Sequence, residues 1–305
     1  MIELPSGVEI NRLIDDLRVF SWEASEILLY YSQILKDSSN KSNIIKNNNI
    51  DEPVTLADLN VNKLIIQRIN EKYKDIGWKI LSEENVKMES GFCDLSSDWV
   101  WVLDPLDGTK DFIQGTENYA MHLALNYKQS PYLGVVLIPE RDELWISNGE
   151  KVWCDRQRSQ TIQTSVPNPH MSKNIKEMVI VTSKNHSNSN LNNLIEKVGF
   201  KEINRMGSIG CKIASILRGE SDIYICLSVP GESSPKDWDF AAPAAVLKAA
   251  GGAITNLNNQ ELTYGNSNYA QEGIIIASNN KNNHEKICLE IQEIIKEYNL
   301  YPFSF

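Results

Sequence analysis

Residues Trp99 to Phe112 read W-V-W-V-L-D-P-L-D-G-T-K-D-F. The apolar run Trp99 to Leu103 predicts a buried strand, which stops at two carboxylates, Asp104 and Asp107, with Pro105 between them and Gly108 and Thr109 directly after. Ligands of open α/β sheets gather beyond the carboxyl ends of strands, so such a strand delivers Asp104 to a site. Pro105 fixes one backbone torsion and Gly108 permits a tight turn. Both carboxylates can then converge on a cation while the backbone N–H groups of Gly108 and Thr109 stay free for a phosphate.

The motif has three other readings. An EF-hand loop needs oxygen ligands at alternate positions and a glutamate at the twelfth, but Leu106 holds the third position and Gly115 the twelfth. A phosphatase with an aspartyl nucleophile would carry D-x-D-G-T, and the residue two before Asp107 is Pro105. The third reading, a strand followed by an Asp-rich turn, leaves the carboxylates elsewhere in the chain unexplained.

A chain of 305 residues with 42% hydrophobic residues can bury a large core, and it reads as two subdomains, 1–167 and 168–305, with the boundary between Val166 and Asn174. The net charge of −10 and the absence of a basic stripe with interleaved aromatics argue against a nucleic-acid partner. Five scattered cysteines (Cys93, Cys154, Cys211, Cys226, Cys288) without a C-x-x-C pair fit a reducing compartment. The start M-I-E-L-P-S-G-V-E-I has neither a basic region nor an apolar core of signal length, and no later stretch approaches a membrane span. The expectation is a cytoplasmic protein with no membrane partner.

Apolar residues at three- and four-residue steps predict a helix over Val8 to Lys36, and the Ser-, Asn- and Lys-rich stretch Asp37 to Ile50 predicts a mobile loop. A helix is expected from near Thr55, a strand over Trp78 to Leu81, and three strands within Tyr119 to Ser147 with turns near Gln129 and Arg141. Strands over Met178 to Thr182 and Asp222 to Leu227, with helices over Leu191 to Val198, Ile209 to Leu217 and Phe240 to Ala250, make the second half α/β after an α+β first half.

Three further carboxylates have the spacing to complete a site. Glu83 follows a strand and lies 21 residues before Asp104. Asp58 stands three residues after Thr55, the pattern of a capping box. Asp239, in K-D-W-D-F-A-A-P, is expected at a helix N-cap. Capping explains the last two as structural, and a helix end pointing into a phosphate site allows a second role.

The elements V-T-L-A-D, S-E-E-N, D-P-L-D-G-T and W-D-F-A-A-P-A-A-V-L-K-A-A-G-G, in that order between Thr55 and Gly252, resemble the metal-dependent, lithium-sensitive phosphomonoesterases of the inositol monophosphatase-like superfamily. D-G-T-K-D-F looks most like the CysQ-type 3'(2'),5'-bisphosphate nucleotidases. The stretch S-K-N-H from Ser183 to His186, and Lys212 ahead of I-A-S-I-L-R-G-E-S-D, are similar to theirs too. The chain departs from their pattern over Ile225 to Lys236 and before Val54.

The resemblance implies a layered αβαβα fold and two or three Mg²⁺ ions. Glu83, Asp104 and the Leu106 carbonyl would hold one ion and Asp104, Asp107 and Asp239 a second, while Thr109 with Asp58 activates water. Gly108, Thr109, Lys110, Ser183, His186 and Lys212 would contact a small-molecule phosphate ester. The implied reaction is hydrolysis of 3'-phosphoadenosine 5'-phosphate to AMP and phosphate, with 3'-phosphoadenylyl sulfate a second substrate, in sulfur assimilation by a monomer or homodimer. The alternatives are an inositol-1-phosphate or fructose-1,6-bisphosphate phosphatase and a catalytically silent phosphate-binding relative.

Overall fold

The computed structural model describes residues 2–36, 44–47, 53–88, 95–158, 160–163, 173–185, 189–228 and 233–300. Two long helices, α1 (Ile10–Leu35) and α2 (Leu56–Lys72), flank a short antiparallel pair, β1 (Ile45–Asn47) and β2 (Val54–Thr55). There follow β3 (Lys79–Ser82), α3 (Glu83–Met88), β4 (Trp99–Asp107), α4 (Thr109–Gln114), β5 (Ala120–Tyr127), β6 (Ser130–Ile138), β7 (Glu143–Ser147), β8 (Val152–Arg156) and β9 (Thr161–Gln163). The remainder is β10 (Val179–Ser183), α5 (Ser189–Val198), β11 (Glu202–Met206), α6 (Ile209–Leu217), β12 (Ile223–Ser228), α7 (Asp237–Ala249), β13 (Ala253–Asn256), β14 (Gly273–Ser278) and α8 (Lys281–Tyr298).

Strands β3 to β9 form a seven-stranded sheet in chain order, parallel only where β3 meets β4. Strands β10 to β14 form a five-stranded sheet in the order β11-β10-β12-β14-β13, parallel on both sides of β10 and antiparallel beyond β12.

Side chains alternate across a strand, so each sheet presents two faces, and here both faces of both sheets are covered. Trp99, Trp101 and Leu103 of β4 pack with Leu13, Leu17, Val61 and Ile65 of α1 and α2. Val102 of the same strand joins Ile213 of α6 and Phe240 and Leu247 of α7 on the other face. In β14, Ile275 and Ala277 meet that α6–α7 layer, while Ile274 and Ile276 meet Leu194 of α5 and Ile291 of α8. The result is five layers, α1/α2, sheet, α6/α7, sheet, α5/α8, as the resemblance implied.

Helix α7 is apolar nearly all round because a sheet lies on each side of it. It crosses β6 so closely that a Cβ on Gly134 would lie 2.6 Å from the Ala242 carbonyl and 2.7 Å from the Ala245 Cβ. Only a glycine under a run of alanines permits that approach.

Three local expectations need correction. β4 does not end at Leu103 but continues through Asp107. α7 begins at Asp237, with Lys236 at the N-cap, so Asp239 is the third helical residue instead of the cap. Within the expected loop Asp37 to Ile50, Ile45–Asn47 is a strand, and residues 37–43 and 48–50 lie outside the described residues. Residues 164–172, which contain most of the expected subdomain boundary, and Cys93 also lie outside them; Cys154, Cys211, Cys226 and Cys288 are free thiols. No helix among the described residues is long and apolar enough to cross a membrane.

Candidate active site

Asp104 and Asp107 reach the same face of the sheet through an irregularity in β4. Asp104 pairs with His122 and Asp107 with Ala120, so three steps along β4 are set against two along β5. Strict alternation would put residues three apart on opposite faces; one extra residue restores the parity. Leu106 accordingly points back with Leu103 into the α1–α2 core, and both carboxylates face the α6–α7 layer. Pro105 lies beyond the last residue pair between β3 and β4, where its missing N–H costs no ladder bond.

Asp239 projects from the first turn of α7, and its Oδ2 accepts the Lys236 N–H at 2.6 Å. The bond that caps the helix thereby orients the carboxylate. One oxygen each of Asp104, Asp107 and Asp239 lies within 4.8 Å of the others. Burial, with repulsion from Glu83, Asp107 and Asp239, pushes the Asp104 carboxyl well above the usual carboxylate range. Burial and the charges of Asp107 and Glu83 do the same to Asp239. A buried cluster of hard oxygen donors, destabilised by its own charge, suits a hard divalent cation. Among the described residues it is the one group of three or more His, Cys, Asp or Glu side chains close enough to share an ion, and it offers no soft ligand.

Glu83 borders this trio at the first residue of α3. Its Oε1 lies 2.8 Å from the Lys87 ammonium one helical turn on. Burial lowers the affinity of Lys87 for its proton, but Glu83 and Glu84 outweigh it, and the ammonium is held above its ordinary range.

Asp58 holds the capping box read from the sequence: its Oδ2 accepts from the Thr55 N–H at 2.8 Å and the Thr55 hydroxyl at 2.5 Å. Its other oxygen lies 3.4 Å from the Thr109 hydroxyl, which is 2.9 Å from the Leu106 carbonyl. Burial, with the charges of Glu84 and Glu83, pushes the Asp58 carboxyl up to about 7. Thr109 opens α4 directly after Gly108, whose φ of +86° and whose approach to Asn118 O, 2.9 Å from an added Cβ, leave room for no side chain.

Glu83, Lys87, Asp104, Asp107, Thr109 and Asp239 line one cavity of about 410 Å³, together with Gly108, Lys110, Ser183, Lys212 and Lys236. Lys212 is buried; its ammonium lies 3.2 Å from the Ser208 carbonyl and 5.4 Å from the centre of the Tyr224 ring. Burial lowers its affinity for a proton, against the pull of Asp107. His186 lies outside the described residues, so the S-K-N-H stretch is placed only as far as Asn185.

Ser208, His122 and Lys87 are site residues that the sequence reading did not single out. The Ser208 hydroxyl caps α6 by accepting the Cys211 N–H at 3.1 Å and donates to Asp107 Oδ2 at 2.6 Å. The Gly210 N–H donates to the same oxygen at 3.2 Å. A serine between glycines ahead of an apolar run, G-S-I-G, is a helix-start signal that would have found it. His122 Nε2 is 3.2 Å from Asp107 Oδ2 but not aligned for a hydrogen bond, and burial keeps its ring below the ordinary histidine range. Its Nδ1 lies 3.4 Å from the Trp238 carbonyl, so the ring packs between the β4 carboxylate and the start of α7.

The inositol monophosphatase family model matches residues 16–296, and the chain belongs to that metal-dependent phosphatase family. A relative named 3'(2'),5'-bisphosphate nucleotidase CysQ, from Buchnera aphidicola, is 30% identical over 220 residues, covering 72% of this chain and 74% of its own. Inositol monophosphatase 2 of Solanum lycopersicum is 25% identical over 237 residues, covering 75% and 84%. The solved structure of the suppressor protein SuhB from Bartonella henselae superposes with a TM-score of 0.71 at 20% identity, over 94% of this chain and 99% of that one. That likeness is one of fold.

Proposed function

We propose that this protein hydrolyses 3'-phosphoadenosine 5'-phosphate to AMP and phosphate, with 3'-phosphoadenylyl sulfate as a second substrate. The observation that carries the chemistry is the convergence of Asp104, Asp107 and Asp239 within 4.8 Å at a cavity that Thr109 also lines, with Asp58 3.4 Å behind the Thr109 hydroxyl. In this reading Glu83, Asp104 and the Leu106 carbonyl hold one Mg²⁺, and Asp104, Asp107 and Asp239 hold a second. Bound there, the cations supply charge neutralisation for the phosphate and lower the pKa of water.

The protein's own groups do the rest. Thr109 Oγ1 takes a proton from the attacking water as its own proton passes to Asp58 Oδ1, a relay that requires Asp58 ionised. The present 3.4 Å separation is of the kind that tightens once substrate is in place. Ser208 and the Gly210 N–H fix the rotamer of Asp107, and the Lys236 N–H fixes that of Asp239. Lys110, Lys212 and Lys236 bring positive charge to a cavity whose floor is acidic, which suits a substrate with two phosphates.

The bisphosphate nucleotidase reading is favoured over the inositol phosphatase one by the 30% identity to the CysQ relative and by D-G-T-K-D-F. The tomato relative keeps inositol 1-phosphate as the second reading. Phosphate release with Mg²⁺, from adenosine 3',5'-bisphosphate, inositol 1-phosphate and fructose 1,6-bisphosphate at matched concentrations, tests it. A higher kcat/KM for either sugar phosphate would overturn the nucleotidase assignment, and no release from any of them would point to the silent relative.

A further inference from the structure

We infer that Lys87 is a built-in counter-cation that competes with the divalent metal for Glu83 and gives way by pivoting to Glu84; the inference rests on the metal reading proposed above. Lys87 lies on α3 one turn beyond Glu83, with its ammonium 2.8 Å from Glu83 Oε1 and 3.4 Å from Glu84 Oε1. Glu83, Lys87 and Asp104 line the same cavity, whereas Glu84 is buried at 2% exposure and does not line it. The ammonium therefore stands between two carboxylates, one facing the site and one behind it.

An ammonium and a divalent cation repel each other, so they cannot both sit against the same face of one carboxylate without cost. A metal arriving at Glu83 must displace Lys87. Displacement into water would cost the ammonium its partner, but Glu84 is already within salt-bridge reach and accepts it after a small rotation. Among the described residues no lysine or arginine stands within salt-bridge distance of Asp107 or Asp239: the one ring there, His122, is kept below the ordinary histidine range by burial, Lys236 touches Asp239 through its backbone N–H, and its ammonium lies 3.4 Å from the Asn268 carbonyl. The two halves of the metal site accordingly differ, the trio being open to an ion and the Glu83 side being occupied until an ion displaces Lys87.

The test is titration calorimetry of Mg²⁺, and separately of Mn²⁺, into the metal-free full-length protein without substrate. Lys87→Met and Lys87→Gln should each tighten the weaker binding event about three- to fivefold, the scale of a partly exposed ion pair, and Lys87→Arg should retain the wild-type affinity. Glu84→Gln should weaken the same event when Lys87 is present and have no effect in the Lys87→Met background. Unchanged or weaker metal binding in both neutral variants would overturn the competition. Wild-type protein that takes up no divalent ion would remove the metal reading itself, a separate failure that needs no Lys87 variant to detect.

Discussion

The Thr109 hydroxyl lies 3.4 Å from the Asp58 oxygen left free after the other has capped α2 through Thr55. One carboxylate thus fixes the start of a helix and presents a proton acceptor to the turn that begins α4. The capping reading and the catalytic reading of Asp58 are compatible because the two oxygens are divided between them. Thr55→Ala would remove the hydroxyl bond and leave only the backbone N–H to hold the carboxylate, and so act on the relay from a distance.

If Thr109 and Asp58 act as one unit, Asp58→Asn and Thr109→Ala should each lower kcat by about 10²- to 10⁴-fold, and the double variant should be little worse than either. A double-mutant cycle on phosphate release measures this. Effects that multiply would leave Asp58 only its cap, worth about 1 kcal/mol of stability.

Asp107→Asn should weaken metal binding far more than Asp58→Asn. Asp107 is in the carboxylate trio, whereas Asp58 touches Thr109 and Thr55. We expect a loss of about 100-fold or more for Asp107→Asn, at the top of the range seen when only outer groups around a metal are removed. Calorimetric titration with Mg²⁺ reads it directly, and equal losses in the two variants would contradict the assignment.

The metal-free protein should lose stability as pH rises. The Asp58 carboxyl is pushed up to about 7 in the folded chain, against an ordinary carboxylate value near ~4 when unfolded. The folded state then holds a proton that the unfolded state releases, so the unfolding free energy falls between about pH 4 and 7. Asp104 and Asp239, also raised by burial and mutual repulsion, act in the same sense. Urea midpoints of chelator-treated protein should decline across that window, less steeply in Asp58→Asn, and saturating Mg²⁺ should restore them. At 100 times its Kd, an ion adds about 2.7 kcal/mol.

Gly134→Ala should destabilise the fold by about 1–3 kcal/mol through overpacking, since the new methyl meets the Ala242 carbonyl and the Ala245 Cβ of α7. If α7 shifts to relieve the contact, Asp239 moves with it, so Mg²⁺ affinity should drop as well. Denaturation and metal titration of one preparation separate the two effects.

Asp104, Asp107 and Thr109 were readable because a short motif carries them and its neighbours dictate the turn. The shared face of the two aspartates was not, since it depends on one extra residue in β4 that appears only when β5 is paired with it. Asp239 lies about one turn inside the helix end that its sequence suggests: Lys236 has no acceptor to cap α7, and an acid at the third position does the work expected of a cap. The short strands β8 and β9, and β11 with its polar sequence E-I-N-R-M, gave no usable alternation. In β14, G-I-I-I-A-S is apolar on both faces because both are covered, so periodicity alone does not distinguish it from a buried helical turn. Lys87 and Ser208 were missed for a different reason: their partners are set by how α3 and α6 dock, not by local pattern.

Because α7 is the middle layer, the acidic trio exists only where the halves of the molecule have met. Asp104 and Asp107 come from the first sheet, and Asp239 from a helix clasped between that sheet and the second. Neither half alone contains the full set of oxygens. Uptake of a divalent cation at this trio would therefore report on assembly: a chain arrested with α7 undocked would lack one of its three carboxylates.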